Sequence, residues 1–264
     1  MRLILTFSCE GAVLAASLDE GEKSIGLLIV SGGNEIRMGA HRGMAMLAAE
    51  MAASGHPVFR FDRRGIGDSE GENEEFTASG PDILAAIATF RAQCPQLKSI
   101  VAFGNCDAAT ALLLHRPDGI AALVLGNIWV IERQDDMPPP AAIKARYAER
   151  LKDPRAWIGL FTGAINIRKL IGGLWRLAKP SAPSSLAQSV ADALAQSLTP
   201  TTIILASRDS TALAFADAWS KPLFERARNN RAIKIRELDS ASHSFANETD
   251  HKALVDTLLS ALSI

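Results

Sequence analysis

The chain predicts an α/β fold: a mostly parallel sheet of eight strands, with helices on both faces and a helical insert late in the sequence. Three observations predict it. Short apolar runs alternate with helix-length stretches along most of the 264 residues. Several of these runs are apolar at every position, as in parallel strands buried on both faces. The alternation then breaks between Gly126 and Pro200, where helical segments follow one another without a strand.

The strands are expected, in order, at residues 3–8, 12–17, 26–31, 57–61, 99–103, 121–125, 202–206 and 232–238. The first two follow each other with no helix between, which predicts an antiparallel start. Helices are expected at 41–54, 81–92, 107–115, 213–228 and 249–262, where Ala/Leu-rich stretches carry charges at helical spacing. Within the break, Met137-Pro138-Pro139-Pro140 precedes helical segments at 141–151, 154–161, 167–178 and 186–198, the last two divided by Pro180 and Pro183. This organisation predicts a sheet domain at 1–126 and 200–264, with a helical cap inserted at 127–199. Trp129, Tyr147, Trp157 and Trp175 fall in the insert, where they either fill its own small core or line a pocket.

Composition narrows the function. Hydrophobic residues make up 48% of the chain, enough for a substantial core, and charged residues 22%, which argues against disorder. The net charge of −1, from 28 basic and 29 acidic residues, excludes an electrostatic footprint for nucleic acid. Three cysteines, Cys9, Cys94 and Cys106, have neither zinc-site nor disulfide-framework spacing, which fits a reducing cytoplasm. The apolar start is shorter than a signal h-region and is soon interrupted by Glu10. No uncharged stretch is long enough to span a bilayer.

Residues Gly104-Asn105-Cys106-Asp107-Ala108 stand between the apolar run Ile100-Val101-Ala102-Phe103 and the Ala/Leu-rich stretch from Ala109 to His115. Strand, sharp turn and helix, with small residues two before and two after the central side chain, is the pattern of a nucleophile elbow. The small residues are needed because the two arms of a strained turn pass close together. Cys106 at the tip would lie at a helix N-terminus, where backbone N–H groups and the helix dipole favour a thiolate. The alternative is a buried cysteine acting as a small hydrophobe.

A nucleophile of this kind needs a base, an orienting acid and oxyanion donors, and the expected chain order is nucleophile, acid, histidine. Of five histidines, His41 and His56 precede Cys106, His115 lies on the helix that follows it, and His251 falls inside the terminal helix. His243 lies in a small, polar loop after the last strand, which makes it the candidate base. Asp209, after the strand at 202–206, is the candidate acid, with an N-cap as its structural alternative. Asp239 and Asp217 are less well placed. For the oxyanion, the backbone N–H of Asp107 is one expected donor, and Gly33 or Asn34 in Ser31-Gly32-Gly33-Asn34 supplies the second. Asn105 and Trp129 are candidate pocket residues. This chemistry requires neither a metal nor an organic cofactor.

The run Phe61-Asp62-Arg63-Arg64-Gly65-Ile66-Gly67-Asp68-Ser69-Glu70-Gly71 resembles the strand-four loop of α/β-hydrolases, Asp-x-Arg-Gly-x-Gly-x-Ser. In that superfamily the elbow, acid and histidine fall at the positions of Cys106, Asp209 and His243. A narrower resemblance is to the type 1 hydrolases associated with exosortase A systems. It is carried by Gly32-Gly33-Asn34-Glu35-Ile36-Arg37-Met38-Gly39-Ala40-His41-Arg42, by the elbow, and by Asn127-Ile128-Trp129-Val130, Arg208-Asp209-Ser210-Thr211-Ala212 and His243-Ser244-Phe245. Asn105, where that family has an apolar residue, and Ile128, where it has proline, depart from the pattern. Membership implies a bacterial gene set for exopolysaccharide production and protein sorting. The expected activity is ester or thioester hydrolysis on a small-molecule substrate through an acyl-enzyme. Acyl transfer to a sugar hydroxyl and a non-catalytic binding protein on the same fold are the alternatives. A serine-type hydrolase using Ser31 or Ser207 is disfavoured, since neither lies in an elbow.

Overall fold

A computed structural model of the chain describes residues 1–132 and 184–264. The strands are β1 (Arg2–Cys9), β2 (Ala12–Asp19), β3 (Ile25–Val30), β4 (Val58–Phe61), β5 (Ser99–Asn105), β6 (Ile120–Gly126), β7 (Thr201–Ala206) and β8 (Ile233–Leu238). They form one eight-stranded sheet in the order β1-β2-β4-β3-β5-β6-β7-β8. The hairpin β1–β2 is antiparallel, β2 meets β4 antiparallel, and every pairing from β4 to β8 is parallel. The expected fold class is therefore the observed one.

Sequence pattern follows position in the sheet. In β3, β5 and β6 nearly every side chain is buried, because helices cover both faces. The edge strands β1 and β8 alternate instead and leave one face in water. Consecutive residues of a central strand serve opposite cores. Leu27, Ile29, Val101, Phe103 and Val124 face α1 (Gly43–Ala53) and the C-terminal helix Glu248–Ala261. Leu28, Val30, Ile100, Ala102 and Leu125 face α2 (Gly80–Gln93), α3 (Asp107–His115), α4 (Ser185–Gln196) and α5 (Ser210–Trp219). Among the described residues, no helix is long and apolar enough to cross a membrane.

Two features differ from expectation. The helix foreseen at 213–228 is interrupted: α5 ends at Trp219, Pro222 opens a 3-10 turn, and α6 (Glu225–Arg228) is separate. Proline lacks the N–H an unbroken helix needs there. Further, α4 falls inside the span read as cap, yet its buried Val190, Ala191 and Leu194 join the same core as Leu112 and Phe215. It packs as a layer helix of the sheet domain. The expected segments at 141–151, 154–161 and 167–178, with Tyr147, Trp157 and Trp175, lie outside the described residues. The C-terminal helix Glu248–Ala261 is α7 hereafter.

Candidate active site

The C-terminal ends of β5, β7 and β8 lie along one edge of the sheet, and each delivers one candidate side chain. Cys106 stands between β5 and α3 with φ 61° and ψ −126°. A non-glycine residue is held in that region only where its surroundings impose it. Here its N–H donates to the Gly126 carbonyl at 2.9 Å, and its own carbonyl accepts from Trp129 N–H and Thr110 N–H, each at 3.4 Å. The small flanking residues have a visible cause: a Cβ on Gly104 would come within 2.8 Å of the Ala108 carbonyl carbon. Cys106 is the N-cap of α3 but makes no side-chain capping bond, so its sulfur remains available.

Asp209 follows β7 and is almost fully buried. Its two oxygens divide the roles that the sequence left as alternatives. Oδ2 accepts the N–H groups of Thr211 and Ala212, at 2.9 and 3.1 Å, and caps α5. Oδ1 faces His243 Nδ1 at 3.1 Å. Burial alone would raise the Asp209 pKa, but the hydrogen bond and charge of His243 outweigh it and hold it below the usual carboxylate value. His243 is pushed up to about 10, first by its hydrogen bond to Asp209, then by one to the Cys106 side chain, against the opposing effect of burial. His243 thus lies against Asp209, with the Cys106 thiol also raising its pKa.

The other histidines and acids lie elsewhere. His56 bonds the Ile25 carbonyl and Lys23, His115 the Phe76 carbonyl, and His251 Glu50. Asp239 is exposed and pairs with Arg208. Cys9 and Cys94 are buried, and burial raises both thiols, Cys9 to about 11. Among the described residues, no group of three or more His, Cys, Asp or Glu side chains is arranged to hold a metal.

The loop after β3 is held from below by the motif at 61–71. Buried Asp62 accepts the backbone N–H and the guanidinium of Arg37 and, at 3.1 Å, the N–H of Asp68. Arg64 Nε donates to Asp82 at 2.6 Å, and Arg63 donates to the Gly33 carbonyl. The Gly33 N–H donates to Asp107 Oδ1 at 2.6 Å. This corrects the expectation for Gly33: a donor already engaged by a carboxylate is not free for an oxyanion. Asn34, the alternative to Gly33, accepts from Asn73 through its side chain at 3.1 Å.

The Asn105 amide donates to the main-chain carbonyl of His243 at 3.0 Å. The main chain of Trp129 is fixed beside the nucleophile, with Thr110 Oγ1 donating to its carbonyl at 2.7 Å. Sequence reasoning missed two residues. Glu35, next to the expected oxyanion residues, is partly buried, which raises its pKa, while the charge of His243 lowers it. Asn127, at the end of β6, is fully buried with φ 41°.

A family profile described as "Alpha/beta hydrolase family" matches residues 27–257. The chain belongs to the alpha/beta hydrolase family. Among solved structures, an esterase of Pyrococcus furiosus is similar with a TM-score of 0.67 and 16% identity, covering 100% of this chain and 91% of that one. Est1E of Butyrivibrio proteoclasticus, with ferulic acid bound, gives 0.63 at 15% identity, covering 98% of this chain and 100% of its own. An esterase of Exiguobacterium antarcticum gives 0.63 at 15%, with 99% and 100% covered. At these identities the similarity concerns the fold. No curated protein matches the sequence.

Proposed function

We propose that this hydrolase cleaves a small carboxylic ester or thioester through a Cys106–His243–Asp209 triad. The observation that carries the reading is His243 Nδ1, 3.1 Å from Asp209 Oδ1, on a loop at the sheet edge where Cys106 occupies the turn between β5 and α3. Cys106 gives its proton to His243, and the sulfur attacks the carbonyl carbon, forming a C–S bond while the C=O electrons move to oxygen. The N–H groups of Asn34 and Asp107 hold that oxyanion, at a helix N-terminus that favours negative charge. The intermediate collapses and expels the alcohol or thiol, which takes a proton from His243. Water, deprotonated by His243, then attacks the acyl thioester, releases the acid and restores Cys106. Asp209 keeps the imidazole oriented throughout. Trp129 contributes to the acyl pocket, and the narrower resemblance suggests a cytoplasmic role in bacterial exopolysaccharide production.

The test is turnover of a chromogenic short-chain ester. Cys106→Ala and His243→Ala each reduce it by orders of magnitude, and the double variant is little worse, because groups acting as a unit are non-additive. Additive losses would overturn the triad.

A further inference from the structure

The main chain of His243 is held as deliberately as its side chain. Its carbonyl accepts two amide hydrogens, from Asn105 Nδ2 and Asn127 Nδ2, each at 3.0 Å. The second hydrogen of Asn127 Nδ2 goes to Asn105 Oδ1 at 3.2 Å. Asn127 Oδ1 accepts the Ala206 N–H at 2.9 Å. A backbone N–H can only donate, so this last bond orients both amides: Asn127 must turn its NH₂ toward His243 and Asn105, and Asn105 must then turn its own NH₂ to the same carbonyl. Both lone pairs of the carbonyl and both hydrogens of Asn127 are used. The network joins the ends of β5, β6 and β7 to a loop that follows β8.

The geometry points to Asn105 and Asn127 as positioning residues that set His243 against Cys106. This rests on the proposed catalytic role of His243. Asp209 grips the imidazole, but a side chain can be aimed only as well as its Cα is placed. Residues 239–247, between β8 and α7, carry no regular ladder of their own to place it. The two asparagines supply that placement from the strand ends that also carry Cys106 and, beyond Ala206, Asp209. Asn105 is next to the nucleophile in sequence, so one residue's backbone leads into the elbow while its side chain fixes the base.

The test uses the full chain and two readouts: iodoacetamide alkylation of Cys106 as a function of pH, and ester turnover, with Cys106→Ala as blank. His243→Ala is expected to shift the alkylation profile to that of an uncoupled thiol. A wild-type profile in that variant would remove the catalytic reading of the pair and this inference with it. Given the shift, Asn105→Ala should move the profile in the same direction and lower kcat by about ten- to a hundredfold with KM little changed. In the His243→Ala background it should do nothing further. An unshifted profile, or an equal loss in both backgrounds, would overturn the assignment. Asn127→Asp keeps the acceptor for Ala206 N–H and puts an oxygen where the donor stood, so a larger shift is expected. Should that variant fail to fold, Asn105→Ala decides alone.

Discussion

Gly104→Ala tests the elbow at the point where its two arms cross. The added Cβ would stand 2.8 Å from the carbonyl carbon of Ala108 and 2.9 Å from both the Ala108 oxygen and the Ala109 nitrogen. Ordinary carbon contacts begin near 3.5 Å, so β5 and α3 must separate by about 0.7 Å. The obstacles are backbone atoms, which no rotamer change can move aside. Neither arm yields easily, since β5 is hydrogen-bonded between β3 and β6 and α3 is buried from Ala108 to Leu113. Overpacking of this kind costs about 1–3 kcal/mol. For a domain of this size that lowers Tm by roughly 2–10 °C. Cys106 caps α3 and moves with it, and a displacement approaching 1 Å costs up to about a hundredfold in turnover. Gly43→Ala is the control: its Cβ meets nothing within 4 Å, and the residue is helical with φ −57°. It should melt at or slightly above the wild-type temperature with full activity. Thermal melts and turnover of a chromogenic ester measure both. Wild-type Tm and turnover in Gly104→Ala, or equal losses in Gly43→Ala, would refute the crossing argument.

Asp209→Asn retains a good N-cap for α5 but loses the charge facing His243, so turnover should fall by about 10²–10⁴-fold and Tm should fall at neutral pH, converging on wild type at strongly alkaline pH; wild-type turnover would remove Asp209 as the orienting acid. His243 has a folded pKa of about 10 against an ordinary 6.5, so its charged form stabilises the fold fully below 6.5 and this is lost as pH rises toward 10. The Tm difference between wild type and His243→Gln should therefore be largest in the mildly acidic range and vanish by strongly alkaline pH; a difference that grows with pH has the wrong sign. Limiting iodoacetamide at neutral pH should modify Cys106 first, with activity lost in step, because Cys9 and Cys94 are buried with raised pKa values; mass mapping that finds either of these first, with activity intact, would return Cys106 to a structural role.

What was legible in the sequence was what is local or fixed by sheet order. The elbow showed itself through Gly104 and Ala108 because the crossing lies within five residues. Cys106, Asp209 and His243 appeared in order because parallel strands place all their C-terminal ends along one edge. The interruption at Pro222 was not read, although proline marks it. The rest depends on partners distant along the chain. Asp107 takes the Gly33 N–H from 74 positions away, and Asn105 meets the His243 carbonyl from 138. No periodicity or spacing marks such bonds, so neither the carboxylate on the Gly33 N–H nor the carbonyl that holds the Asn105 amide shows in the sequence. The layer role of α4 was hidden for a related reason, because an apolar helix face does not state which core it joins.

The site owes its order to the sheet more than to its loops. Asp209 lies one residue before a helix, and capping that helix fixes Oδ2 on two N–H groups. Its other oxygen is thereby left pointing in one direction, toward Nδ1 of His243. The same bonds that terminate α5 correctly also orient the base, so local helix chemistry and site geometry reinforce each other. His243 is gripped a second time through its carbonyl by Asn105 and Asn127, which stand at the ends of β5 and β6. Cys106 is tied by its N–H to Gly126, the last residue of β6. His243 and Cys106 are thus both tied to adjacent residues, Gly126 at the end of β6 and Asn127 just after it.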